Sequence, residues 1–142
     1  MRILVATDGS DGADRAVDYA ARCAHSHGAE LLIVNVIGSL PDKLFRSFNP
    51  AQHAWLDELL QSLSAETLTR ARDRARSMGV AAAQTEARTG EIAQTIIDIA
   101  LEKHADVIIV ARRGAGPVAA LLLGSVSQKL VSLAPLPVTV IP

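Results

Sequence analysis

Hydrophobic positions along the chain follow two patterns that alternate. Continuous apolar runs recur at 2–7 (RILVAT), 30–37 (ELLIVNVI), 106–111 (DVIIVA) and 137–141 (PVTVI), with a weaker one at 80–87 (VAAAQTEA). Short runs of this kind, rich in branched residues, predict strands covered on both faces. Between them the apolar residues step by three and four. Ala13, Ala16, Val17, Ala20, Ala21 and Ala24 mark one helix over 11–27, closed by Gly28. Residues 51–78 predict a second, ended by Gly79, with Glu66 and Arg70 as an i,i+4 ion pair and arginines 70, 72, 74 and 76 as a solvated end. Thr89-Gly90-Glu91 opens a third, whose face is Ile92, Ile96, Ile97 and Ala100, and residues 125–133 form a fourth. Residues 38–50 hold Gly38, Pro41 and Pro50 without a period and predict a loop.

The order βαβαβαβαβ predicts an α/β fold, an open parallel sheet with helices on both faces. Composition narrows the picture. A chain of 142 residues fits one domain, 1–142, and 49% hydrophobic against 20% charged residues argues against extensive disorder. A net charge of −1 leaves no excess of Lys and Arg to track nucleic-acid phosphates. A single cysteine, Cys23, supplies neither an intramolecular disulfide nor a thiolate cluster. The opening MRILVAT leads straight into a strand without a signal-peptide pattern, and no apolar run approaches the roughly 20 residues that span a bilayer. A cytoplasmic protein with neither nucleic-acid nor membrane partners is expected.

Ligands of open α/β sheets bind beyond the carboxyl ends of the strands, so the loops there hold the candidate chemistry. In Ala6-Thr7-Asp8-Gly9-Ser10 a carboxylate and two hydroxyls stand between a strand and a helix amino end. Asp8 is open to two readings, a helix cap or an acceptor for ribose hydroxyls, whereas Ser10 and Asp11 read first as caps. The second loop runs Ala111-Arg112-Arg113-Gly114, then nine residues, then Gly124-Ser125 at a helix start. Glycines let the main chain approach a ligand, and a helix amino end offers unpaired N–H groups to phosphate. Ser125-Val126-Ser127-Gln128 also fits a capping box, a role that can coexist with an anion contact.

The stretches ILVATDGSDGADRAVDYA and ADVIIVARRGAGPVAALLLGSVSQKLVSLAPLPVTVIP resemble the two hallmark ends of the universal stress protein family, and the likeness covers essentially the whole chain. The resemblance implies a Rossmann-like five-stranded sheet of order 3-2-1-4-5 and dimerisation that commonly involves the last strand. It also implies, in one branch, an ATP site of pattern Gly-x2-Gly-x9-Gly-Ser/Thr. Gly114, Gly124 and Ser125 match that pattern, while Ala111 stands where its first glycine belongs. The extra methyl and the restricted φ of Ala111 are expected to crowd the ribose or phosphates. By the same resemblance Ala6, Thr7 and Asp8 border the nucleotide, with Asp8 on the ribose and Val36 beside the adenine. Arg112 and Arg113 either neighbour the phosphates or have no ligand role, and Val126 and Ser127 complete the phosphate end.

Other sites lack their residues. Cys23 and His27, four apart on a helix, are two ligands where zinc needs four. His25, His53 and His104 have no Ser or acid partner in matching loops, and the Gly-x4-Gly-Lys-Ser/Thr phosphate loop is absent. Apart from Asp8 the nucleotide loops carry no acid to hold magnesium or orient water, so no catalytic residue is assigned. The expected function is a stress-response regulator, a homodimer that binds ATP, ADP or AMP without efficient turnover and whose populations shift with the ligand. The alternative is a family member that binds no nucleotide and acts on protein partners through Phe45, Phe48 and Trp55.

Overall fold

The structure is a computed structural model that describes residues 1–114 and 123–142. Five strands, β1 (Arg2–Ala6), β2 (Glu30–Gly38), β3 (Gln84–Gly90), β4 (Val107–Ala111) and β5 (Val138–Ile141), form one sheet of order β3-β2-β1-β4-β5. Every adjacent pair is parallel. The chain winds outward from β1 to β3, then crosses to β4 and β5, so strand order reverses between β1 and β4. A crevice at their carboxyl ends follows from that reversal.

Alternation along the strands divides the core. Ile3, Val5, Leu31, Ile33 and Ile109 face α1 (Asp11–His27) and, beyond the short α2 (Asp42–Arg46), α3 (Pro50–Ser77). Leu4, Leu32, Val34, Ile108 and Val110 face α4 (Ile92–Glu102) and α5 (Ser125–Leu133). The buried face of α1 is almost entirely alanine, with Val17 as the exception, which allows this helix to lie close against β1 and β4. Ser10 starts α1 by accepting the Ala13 N–H at 3.2 Å, and Gly28 ends it at φ 62°.

Several local expectations are corrected. Residues 38–50 contain α2, and α3 begins at Pro50, behind a capping box formed by Asn49 and Gln52. The predicted start of β3 at Val80 is early: the Val80 N–H closes α3 on the Ala75 carbonyl, and the strand runs Gln84–Gly90 at the sheet edge. Thr89 and Gly90 therefore belong to β3 rather than to the helix. Arg70 pairs with Asp14 instead of Glu66 and donates to the Gly9 carbonyl at 2.6 Å. Arg74 is not a solvated end either. It grips Asp18 through Nε and Nη2, at 3.1 and 2.6 Å, and so ties α3 to α1; Asp18 and then Asp14 raise its pKa.

Glu91 caps α4, its carboxylate accepting the Gln94 N–H at 2.7 Å. That hydrogen bond, helped by Lys129, lowers its pKa. A lowered folded-state pKa contributes stability above the unfolded value, near 4.3, that is lost as pH falls through the folded one. Glu91→Ala is expected to cost about 1 kcal/mol in urea unfolding at pH 7, the usual cost of a lost cap. The difference from the wild type should shrink below about pH 4; a constant difference across that range would contradict it.

Candidate functional site

The loop after β1 is fixed from both sides. The Thr7 N–H extends the ladder to the Val34 carbonyl at 2.9 Å, and Thr7 Oγ1 accepts the Gly9 N–H at 3.1 Å. Gly9 sits at φ 80°, a left-handed conformation that glycine adopts without strain. Behind the loop, Ser64 of α3 donates to Asn35 Oδ1 at 2.6 Å, and Asn35 Nδ2 donates to the Thr7 carbonyl at 2.8 Å. Asp8, which accepts the Ser10 N–H at 2.9 Å, is thereby presented at the carboxyl end of β1, largely open to solvent.

The second loop is stitched at its base. The Arg112 N–H donates to the Ile141 carbonyl at 2.7 Å and the Gly124 N–H to the Arg112 carbonyl at 2.7 Å. The Ser127 hydroxyl, 1% exposed, donates to that same carbonyl at 2.7 Å and to the Gly124 carbonyl at 3.0 Å. Ser127 thus holds the two ends of the excursion together, and its hydroxyl proton is already committed. The capping box expected at Ser125 does not form. Gly124 is the N-cap of α5, with no side-chain acceptor, and Ser125 is the first, exposed residue of the helix.

These elements enclose a cavity of about 220 Å³ on the α4 and α5 face of the sheet, lined by all twelve residues predicted for the site. Ala6, Thr7 and Asp8 come from the end of β1, Val36 from β2, Ala111 from β4, Arg112, Arg113 and Gly114 from the loop, and Gly124, Ser125, Val126 and Ser127 from the start of α5. Glycine spacing sets the close approaches. A Cβ on Gly114 would overlap the Asp8 carboxylate, and one on Gly124 would lie 3.2 Å from the Arg112 carbonyl oxygen.

Ala13, Val34, Ile92, Ile96 and Val110 also line the cavity and were not predicted. Their apolar chemistry is that of the core. Position is the signal that distinguishes them, since Val110 lies near the carboxyl end of β4 and Val34 pairs with Ala6 at the end of β1, while Ile92 and Ile96 sit in the first turns of α4.

Ala111 departs from what was expected of it. It is extended rather than left-handed, and its methyl belongs to the cluster beneath α1, so the side chain faces away from the cavity that its backbone lines. From that orientation the methyl is expected not to crowd the site. Ala111→Gly is accordingly expected to leave nucleotide affinity within about twofold. It should cost stability, roughly 1–2 kcal/mol, through a lost buried methyl and added chain entropy. Calorimetric titration and urea unfolding check the two effects; a tenfold gain in affinity would contradict this orientation.

Elsewhere the His27 ring bonds the Cys23 carbonyl at 2.9 Å rather than meeting its thiol. Among the described residues no group of three or more His, Cys, Asp or Glu side chains gathers to hold a metal ion, and no helix is long and apolar enough to cross a membrane.

Comparison with known proteins agrees with this architecture. A profile of the universal stress protein family matches residues 1–142. A universal stress protein of Thermus aquaticus is 37% identical over 139 residues, covering 98% of this chain and 96% of its own. The universal stress protein YxiE of Bacillus subtilis is 32% identical over 150 residues, covering 99% and 97%. Among solved structures, UspA of Lactobacillus plantarum superposes with a TM-score of 0.84 at 27% identity, covering 100% of this chain and 97% of its own. A universal stress protein in complex with cAMP gives 0.76 at 25% identity, covering 100% and 97%. One from Archaeoglobus fulgidus in complex with dAMP gives 0.68 at 26%, covering 100% and 98%. Matched along its whole length in profile, sequence and fold, the chain belongs to the universal stress protein family.

Proposed function

We propose that this protein binds an adenine nucleotide, ATP or its di- or monophosphate, in the cavity between β1, β4 and α5, and acts as a regulatory switch rather than a catalyst. One observation carries the reading: a single cavity gathers an apolar floor, a carboxylate at a strand end, two close-packed glycines and a helix amino end without a side-chain cap. The adenine ring lies against Val36 and Ile92. Asp8 accepts from the ribose hydroxyls, and the phosphates meet Gly114, Gly124 and the N–H groups that open α5. The cAMP and dAMP carried by two structural relatives are adenine nucleotides and support this ligand class.

Turnover is slow in this reading. Asp8 is the one carboxylate among the described residues that line the cavity, whereas phosphoryl transfer to water needs both metal ligands and a group that orients the water. The proposed setting is the cytoplasm, a reducing compartment that suits an unpaired Cys23. Mass spectrometry of the purified, denatured protein tests the proposal: released adenine nucleotide supports it. No released nucleotide, together with no binding by the stripped protein, contradicts it.

The proposed switch is a homodimer. Among the described residues β5 pairs only with β4, which leaves its outer edge without a strand partner among them, and pairing about a two-fold axis closes such an edge. Light scattering at micromolar concentration is expected to give twice the chain mass; a monomeric mass would contradict it.

A specific feature favours protein contacts as a second reading. Trp55 is 64% exposed and Phe45 51%, with Phe45 stacked on His53 at 4.2 Å between ring centroids, an apolar surface suited to a protein partner.

A further inference from the structure

The carbonyls of the two residues that flank Asp8 are both held from α3. The Thr7 carbonyl accepts Asn35 Nδ2 at 2.8 Å, and Asn35 Oδ1 accepts the Ser64 hydroxyl at 2.6 Å. The Gly9 carbonyl accepts Arg70 Nη2 directly, also at 2.6 Å. Ser64, Thr67 and Arg70 recur at steps of three, so one side of α3 follows the loop. The approach is close: a Cβ on Gly9 would stand 3.1 Å from Arg70 Nη2 and 3.4 Å from Thr67 Oγ1. Asn35 is the one polar residue between Leu31 and Ile37 of β2, and Ser64 is 3% exposed. An apolar pair of the same shape could hold α3 on the sheet at little cost in stability, so packing alone does not call for this polar link. None of Ser64, Asn35 and Arg70 is among the described residues that line the nucleotide cavity.

We infer that Ser64, acting through Asn35, and Arg70 are positioning residues that set selectivity for a ligand with ribose hydroxyls, by fixing the backbone on both sides of Asp8. The inference rests on the nucleotide reading above and adds to it the origin of its sugar selectivity. Hydrogen bonds weaken steeply away from their preferred distance and angle, so a small shift of the Asp8 backbone is felt at its carboxylate. In the same reading the adenine and the phosphates meet Val36, Ile92, Gly114 and Gly124, none of which belongs to the loop after β1. Loosening the link to α3 therefore costs ribose recognition and spares the other contacts. A role confined to anchoring α3 would instead lower stability, or weaken every nucleotide alike.

Calorimetric titration of the full chain with ATP and with 2′,3′-dideoxy-ATP tests the inference in the wild type, Ser64→Ala, Arg70→Met and Arg70→Lys. Methionine keeps the apolar stem of Arg70 without a donor, lysine keeps a donor, and thermal melts report whether each variant is folded. The wild type is expected to favour ATP by about tenfold or more, the worth of a hydrogen bond to a charged acceptor. Ser64→Ala and Arg70→Met should each bring that preference below about threefold, with affinity for the dideoxynucleotide held within about twofold. Arg70→Lys should recover most of the preference. Full preference for ATP in folded Ser64→Ala and Arg70→Met, or equal weakening of both nucleotides, overturns the inference. A wild type that binds the two nucleotides equally also overturns it, while leaving the nucleotide reading intact. A wild type that binds neither contradicts the nucleotide reading itself, and the inference falls with it.

Discussion

Gly114→Ala is expected to weaken adenine-nucleotide binding ten- to a hundredfold while leaving the protein folded. The added Cβ would overlap Asp8 Oδ2 and stand 3.5 Å from its Cγ. Two relaxations are open, and both damage the site. Either the loop after β4 lifts away, carrying Arg112 and Arg113 with it, or the Asp8 carboxylate swings out and gives up the Ser10 N–H. In each case the proposed ribose acceptor and the backbone proposed to bind the phosphates lose their relative placement. A hydrogen bond to a charged group contributes about 1.5–3 kcal/mol, which sets the range, since about 1.4 kcal/mol is tenfold. Gly114 itself is exposed, so the stability cost should remain within about 1 kcal/mol. Wild-type affinity in a folded variant would show that Gly114 and Asp8 do not jointly shape the site.

Leu130→Ala carries the largest expected loss of stability. α5 has nine residues, of which only Ser127 and Leu130 are buried, and Leu130 is fully enclosed against the α4 side of the core. Truncating a buried leucine costs about 2–5 kcal/mol through lost transfer energy and the cavity left behind. For a chain of this size that lowers Tm by about 10 °C. The effect reaches the site because α5 supplies its amino end and, through Ser127, the staple at the loop base. Differential scanning calorimetry with and without ATP should therefore show a lower Tm and a smaller rise on adding ligand. A Tm within about 2 °C of the wild type would mean that Leu130 does not anchor α5.

How much of this was legible depends on the range of the interactions involved. The central strands announce themselves because parallel strands covered on both faces are continuous apolar runs. Edge strand β3 (QTEARTG) alternates exposed and half-buried residues, so the neighbouring apolar Val80 to Ala83 displaced the expected start. α2 spans five residues, too few to show a helical period. Pairing between Arg74 and Asp18 joins residues 56 apart, which local spacing cannot reveal, while the local Glu66/Arg70 spacing misled because Arg70 turns to Gly9 and Asp14. At the site the polar residues and glycines stood out by type. Its apolar floor did not, because Ile92, Ile96, Val34 and Val110 are chemically indistinguishable from core. The orientation of Ala111 was available in principle: strand alternation puts it on the same face as Ile109, beneath α1.

Titration of ATP into wild-type protein stripped of bound nucleotide, beside the same titration into Gly114→Ala, is the decisive measurement. Saturable binding of one nucleotide per chain in the wild type, weakened at least tenfold in the variant, is the predicted result. No binding by the wild type at millimolar ATP would contradict the nucleotide site and leave the exposed Phe45 and Trp55 surface as the functional one.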